Sequence, residues 1–184
     1  MGFYDIPENV EQYVKMAAGH DGQALIAEIL RYLQPGSSVL EIGMGPGVDL
    51  DILGRWFDAT GSDYSEVFLR RYLTIHPKAS VLKLDASTLK TDRRFDGIYS
   101  NKVLHHLDPT AQARSFGRQA TILNPGGYAF HSLWYGDGVE EFEGLLFHQH
   151  TERSLRSQVA PEIAGRACNQ NGPPGHYSDP LLGR

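Results

Sequence analysis

The chain is short of the features that mark several large classes of protein. Cys168 is its only cysteine in 184 residues. No internal disulfide can form, so a scaffold held together by disulfides is excluded. It has no run of about 18 apolar residues that could span a bilayer. The opening segment from Met1 to Val10 lacks the basic-then-apolar order of a secretory signal, and a cytoplasmic chain is the expectation. Lys and Arg total 17 against 22 Asp and Glu, a formal net charge of −5. That leaves no positive surplus to attract a nucleic acid. What remains is an ordinary globular composition, 41% hydrophobic and 21% charged, long enough for one α/β domain and short for two.

One stretch organises the rest: Val39-Leu40-Glu41-Ile42-Gly43-Met44-Gly45-Pro46-Gly47-Val48-Asp49. Residues 37–40 read as a strand and residues 48–54 as the first turns of a helix, with alternating glycines between. Glycine has no Cβ, so the backbone there can turn sharply and let a ligand approach its N–H groups, and the helix start adds partial positive charge. A dinucleotide fingerprint requires glycine at relative positions one, three and six, and the sixth position here is Val48. A second strand is expected to end at Asp63, where a carboxylate could accept hydrogen bonds from both hydroxyls of a ribose, and Tyr64 beside it could stack on a base. The alternative for Asp63 is to cap a helix over residues 65–69.

The E-x-G-x-G-x-G arrangement of Glu41, Gly43, Gly45 and Gly47 resembles motif I of the class I methyltransferases that use S-adenosylmethionine (SAM). The resemblance runs over roughly residues 20 to 135. A third strand over 80–84 ends at Asp85-Ala86, where the family usually has an acid for the adenine amino group. A fourth strand, Phe95 to Ser100, leads into Asn101-Lys102-Val103-Leu104-His105-His106-Leu107, which resembles the family's motif IV. A helix over 111–123, the turn Asn124-Pro125-Gly126-Gly127 and a fifth strand over 128–134 follow. The resemblance implies a doubly wound, mainly parallel Rossmann-like sheet in three α/β/α layers. It implies SAM as cofactor and Glu41, Gly43, Met44, Gly45, Gly47, Asp63, Tyr64, Asp85, Ala86, Ser100 and Asn101 as the cofactor-binding set. It further implies a small-molecule acceptor, because Ser100-Asn101-Lys102-Val103 stands where base and amide methyltransferases often carry N/D-P-P-Y/F. An NAD(P)-dependent oxidoreductase and a non-catalytic SAM-binding module are the competing readings.

Ahead of the motif, apolar positions 10, 13, 14 and 17 follow helical spacing. A second helix capped by Asp21 presents Leu25, Ile26, Ile29, Leu30 and Leu33. In the family such helices, here residues 1–34, cover the cofactor, which gives Tyr13, Met16, His20 and Asp21 a candidate role. A hydroxyl or thiol acceptor benefits from a general base. His105, His106 and His131 are candidates because an imidazole titrates near 6.5, and His105 and His106 are taken as the catalytic pair, at most one of them facing the acceptor. Trp134, Tyr135, Glu140 and Phe142 follow strand five, where an acceptor pocket would be bounded. His148-Gln149-His150 has no Cys or acidic partner of matching pattern, so it is read as structural and no metal is expected. Thr151 to Arg156 looks like a capped helix start. The domain is then residues 1–160, with the cofactor-binding core at 37–135. Residues 163–180, rich in Gly, Pro and Asn, show no pair of strands. The expectation is an irregular, disordered tail at 161–184, a missing or irregular C-terminal hairpin, and strand five left as an exposed edge or partly covered by a helix.

Overall fold

The structure, a computed structural model, describes residues 3–142, 145–159, 166–168 and 181–183. Five parallel strands form the central sheet: β1 (Ser38–Ile42), β2 (Asp58–Asp63), β3 (Val81–Lys83), β4 (Phe95–Asn101) and β5 (Leu123–Ser132), in the order β3-β2-β1-β4-β5. The chain winds outward from β1 to the β3 edge and returns to lay β4 on the other side of β1. Strand order therefore reverses between β1 and β4, and the crevice at their carboxyl ends is where open α/β sheets bind ligands. At the opposite end of the sheet Asp96 closes the joint. Its Oδ2 accepts from Ser38 N–H at 2.9 Å and from the Ser38 hydroxyl at 2.8 Å, and its Oδ1 accepts from the Asn124 amide at 2.7 Å.

Successive strand residues point to opposite faces, and both faces are covered. Leu40, Ile42 and Ile98 enter a cluster with Leu104, Phe116, Ile122 and Leu155. Val39 and Tyr99 enter another with Leu25, Ile26, Ile29, Leu53 and Phe130. Burial on two sides explains why β1 reads as a continuous apolar run. Helices α2 (Gln23–Ile29) and α3 (Val48–Leu53) supply the second face, and α5 (Pro109–Ile122) and α6 (Glu152–Gln158) the first. Helix α4 (Glu66–Ile75) adds Leu69 and Tyr72 to a third cluster with Met44 and Leu50. Helix α1 (Pro7–Met16) begins with a proline, whose missing N–H costs nothing in a first turn.

The doubly wound parallel sheet is the expected one, and most differences lie at its ends. β5 starts at Leu123 and takes in the turn at 124–127, because Phe95 pairs with Leu123 before a bulge shifts the register. A Cβ on Gly127 would lie 2.8 Å from the Asp96 carbonyl oxygen, so glycine alone lets the strands run this close. After β5 comes an antiparallel hairpin, β6 (Val139–Phe142) with β7 (Leu145–His148), where a solvated linker was one expectation. The larger correction is C-terminal. Against the expectation of no strand pair, β8 (Arg166–Cys168) and β9 (Leu181–Gly183) pair antiparallel, and β9 lies alongside β5. Backbone pairing needs no side-chain alternation, and three-residue strands display none. Residues 161–165, 169–180 and 184 of the expected disordered tail lie outside the described residues.

Candidate functional site

The glycine loop is shaped largely by its own protein. Gly43 has φ 70° and Gly47 φ 87°, the left-handed region that penalises a side chain. A Cβ on Gly43 would come within 2.6 Å of the Val103 methyl groups, and one on Gly47 would meet the Tyr72 ring. Gly45 faces only the Tyr13 ring edge, with nothing nearer than 3.7 Å. The Met44 side chain is buried on Leu50, Leu69 and Tyr72, and its N–H donates to the Ser62 carbonyl at 2.8 Å. The Met44 carbonyl accepts from Gly47 N–H at 2.8 Å, so Met44 shapes the loop rather than presenting its side chain to a ligand.

Four carboxylates surround this loop. Asp63, at the end of β2, accepts from Gly45 N–H at 2.9 Å and from Ser65 N–H at 2.8 Å, joining strand, loop and the start of α4. Burial pushes its carboxyl up and these backbone donors pull it back. Helix α4 is capped by Ser65 rather than Asp63. Asp49, in the first turn of α3, is a hub. It accepts from Gly22 N–H at 2.6 Å, from the Tyr99 hydroxyl at 2.6 Å and from the Asn101 amide at 3.1 Å. Asn101 in turn accepts from the Ser132 hydroxyl at 2.5 Å, carrying the network into β5. Asp51 accepts from the Tyr72 hydroxyl at 2.7 Å. Glu41 is 3% exposed, has an Oε2 with no partner, and is pushed well above the ordinary carboxylate range by burial and by Asp49, Asp63 and Asp51.

Other expected residues scatter around this centre. Tyr64 is 60% exposed beside Asp63, available to a flat ring. Asp85 is exposed and accepts from Ser87 N–H at 2.7 Å, with Ala86 half-buried next to it. Ser100 is fully buried, its hydroxyl 2.8 Å from His131 Nδ1. Tyr13 packs edge-on against Tyr4 and Phe68, and its hydroxyl is pushed up by burial and by Asp63 and Asp49. It therefore bridges the N-terminal cover and the acidic centre. Met16, His20 and Asp21 are exposed, with Asp21 accepting from Gln23 N–H at 3.0 Å at the start of α2.

The histidines occupy a different environment. His131 is sealed: Nδ1 meets Ser100 and Nε2 lies 2.8 Å from Gln119 Oε1, and burial pulls it down to about 3. His105 and His106 lie on a 3-10 turn, Leu104–His106, and touch edge-on at 4.2 Å between centroids. His105 is 1% exposed between Trp134 and Phe147, its Nδ1 unpartnered, and desolvation pulls it down to about 2. His106 is half-buried, with Nδ1 3.0 Å from the Leu146 carbonyl of β7. A carbonyl only accepts, so Nδ1 carries the proton and neutral His106 keeps its lone pair on Nε2. His150 pairs with Gln112 rather than with His148. Tyr135 and Glu140 are exposed beyond β5.

A strand, glycine loop and helix start, ringed by carboxylates at the point where strand order reverses, define an α/β protein built to hold a ligand bearing hydroxyl groups and positive charge. The chain belongs to the methyltransferase-domain family, whose model matches residues 15–166. Its fold is similar to that of the sugar N-methyltransferase KedS8 from Streptoalloteichus sp ATCC 53650, with 17% identity, TM-score 0.77, and coverage of 94% of this chain and 91% of that one. SAM-bound CalS10 from Micromonospora echinaspora, an amino pentose methyltransferase, is 13% identical with TM-score 0.74, covering 95% and 96%. In sequence, the uncharacterized 37.1 kDa protein in transposon TN4556 of Streptomyces fradiae is 30% identical over 132 residues. That match covers 66% of this chain and 38% of the Streptomyces protein, so the chain spans well under half the length of that relative.

Asp49 is the hub of the site that sequence reasoning passed over. It closes the glycine stretch, and an acid one residue into a helix reads as dipole compensation. The pairing of His106 with Leu146 had no local signal at all.

Proposed function

We propose that the chain is a SAM-dependent methyltransferase that moves a methyl group to a nucleophilic atom of a small molecule. The observation that carries this is the Asp63 carboxylate bonded to Gly45 N–H at 2.9 Å, which joins the two landmarks of a ribose-and-methionine site at the strand-order reversal. The residues present fit that cofactor. Asp63 would hold the ribose hydroxyls, Tyr64 and Asp85 with Ala86 the adenine, and the Gly45 backbone with Glu41 the methionine end. Gly43, Met44 and Gly47 would shape the loop around it. Ser100 and Asn101 would close the floor beside the transferred methyl. When bound, SAM supplies a methyl already activated on a sulfonium.

The protein then has to orient the acceptor, keep water out and move one proton. His106 is the base we favour over His105, because its Nε2 lone pair is fixed by the Nδ1–H to Leu146 bond, whereas His105 is enclosed by aromatic rings. Trp134 and Phe147 form an apolar wall beside it. We infer an uncharged or cationic small acceptor rather than nucleic acid, in keeping with the net charge of −5, and a cytoplasmic setting, in keeping with a single cysteine. A nitrogen is the acceptor atom we would try first, by analogy with the sugar N-methyltransferase of similar fold.

Calorimetric titration with SAM, S-adenosylhomocysteine and NAD tests the reading, with Asp63→Ala alongside. Micromolar binding of the two SAM-type ligands, weakened about 100-fold in Asp63→Ala through loss of charge-assisted hydrogen bonds, is the expected result. Binding of NAD alone would overturn it.

A further inference from the structure

The four carboxylates around the glycine loop differ in one respect. Asp63 accepts from two backbone N–H groups, Asp49 from three donors, and Asp51 from Tyr72, with His76 Nε2 3.7 Å away. No described donor reaches the Glu41 side chain. It is 3% exposed, and its Oε2 is buried without a partner. A carboxylate withdrawn from water with no donor and no cation is far costlier than the neutral acid. The groups facing Glu41 add to that cost. Asp49 and Asp51 come from α3 and Asp63 from β2, and all three raise it. Tyr72 of α4 is itself raised by Glu41, and Tyr13 of α1 by Asp63 and Asp49. No basic group acts on Glu41 among the described residues.

We propose that Glu41 is a neutral carboxylic acid in the ligand-free site, and that the cationic end of the cofactor ionises it, expelling one proton to solvent for each SAM bound. The inference rests on the SAM reading and adds to it a selectivity device. A ligand without positive charge at this point has nothing to exchange for the proton, so the buried acid favours cations over neutral nucleosides. The balance is simple: the carboxyl O–H bond breaks, its electron pair stays on Glu41, and the proton goes to the buffer. Affinity then rises with pH wherever free Glu41 is protonated and bound Glu41 is not, by up to about tenfold per pH unit for one proton.

The test is calorimetry of SAM binding at pH 6.5 in buffers of different ionisation enthalpy, on the wild type and Glu41→Gln. The amide has the shape of the neutral acid, so this variant is expected to fold. The expected result is proton release by the wild type and none by Glu41→Gln, with the pH dependence of affinity flattened in the variant. Infrared difference spectra of the wild type alone supply a second readout, in which the protonated-carboxyl band disappears on adding SAM. SAM binding with no proton release, or with equal release in the two proteins, overturns the inference and leaves the cofactor assignment standing. A folded wild type that gives no heat with SAM overturns both.

Discussion

The two halves of the site handle polar groups in opposite ways. On the β1, β2 and α3 side, Asp49 and Asp63 are tied into hydrogen bonds that hold the loop in place. On the β4, β5 and hairpin side, imidazoles are buried against neutral partners and kept uncharged, His131 down to about 3 and His150 to about 4. The first half is built to meet charge. The second is built to exclude it, and half-buried His106 has the place of its lone pair set by the Nδ1–H to Leu146 bond. A methyl transfer needs both: a seat for a cation, and a dry wall against which a neutral nucleophile can approach.

The comparison breaks most severely at Asp49. Asp49→Ala leaves Gly22 N–H, the Tyr99 hydroxyl and the Asn101 amide without their acceptor, and we expect a loss of roughly 3–5 kcal/mol in denaturant unfolding. A loss under about 1 kcal/mol would mean that water replaces the hub. On the other side, His106→Asn keeps a donor for Leu146 and removes the base we propose. Turnover of any identified acceptor should fall about 100-fold with SAM affinity unchanged, and the fall should shrink as pH rises and the acceptor deprotonates unaided.

Near neutral pH the smallest effect comes from titration, and it separates the halves by sign. His131 binds a proton near 6.5 when unfolded and only near about 3 when folded, so acid favours the unfolded chain. Its share of stability is intact above pH 6.5 and falls by about 1.4 kcal/mol per pH unit as pH drops through that window. His131→Asn should flatten that limb of the unfolding profile. Glu41 is raised in the fold and works the other way, its share being lost as pH rises.

The acidic half was the more legible in the sequence, and the reason is locality. Glu41 and Asp63 each end a short apolar or β-prone run followed by a turn, so their place at strand ends follows from a few neighbours. The parallel sheet followed for the same reason. Asp49 did not, because its partners lie 27, 50 and 52 positions away. The histidines could be nominated but not sorted. Whether an imidazole is sealed, stacked or open depends on Gln119, Phe147 and Leu146, residues brought in from other elements. The β8 and β9 pair escaped because three-residue strands either side of a glycine and proline-rich segment carry no period.

The parallel neighbours of β1 bear on the order in which the sheet assembles. Ser38 lies beside Asp58 on one side, while Val39 lies beside Gly97 on the other. The first pairing closes a short loop and the second one nearly three times as long, which costs more chain entropy before any contact offsets it. The Asp96 bonds to Ser38 belong to that second closure. Loop length alone therefore orders closure of the β1–β4 crevice after the β1–β2 pair, and a cofactor held there would stabilise that later closure rather than the first.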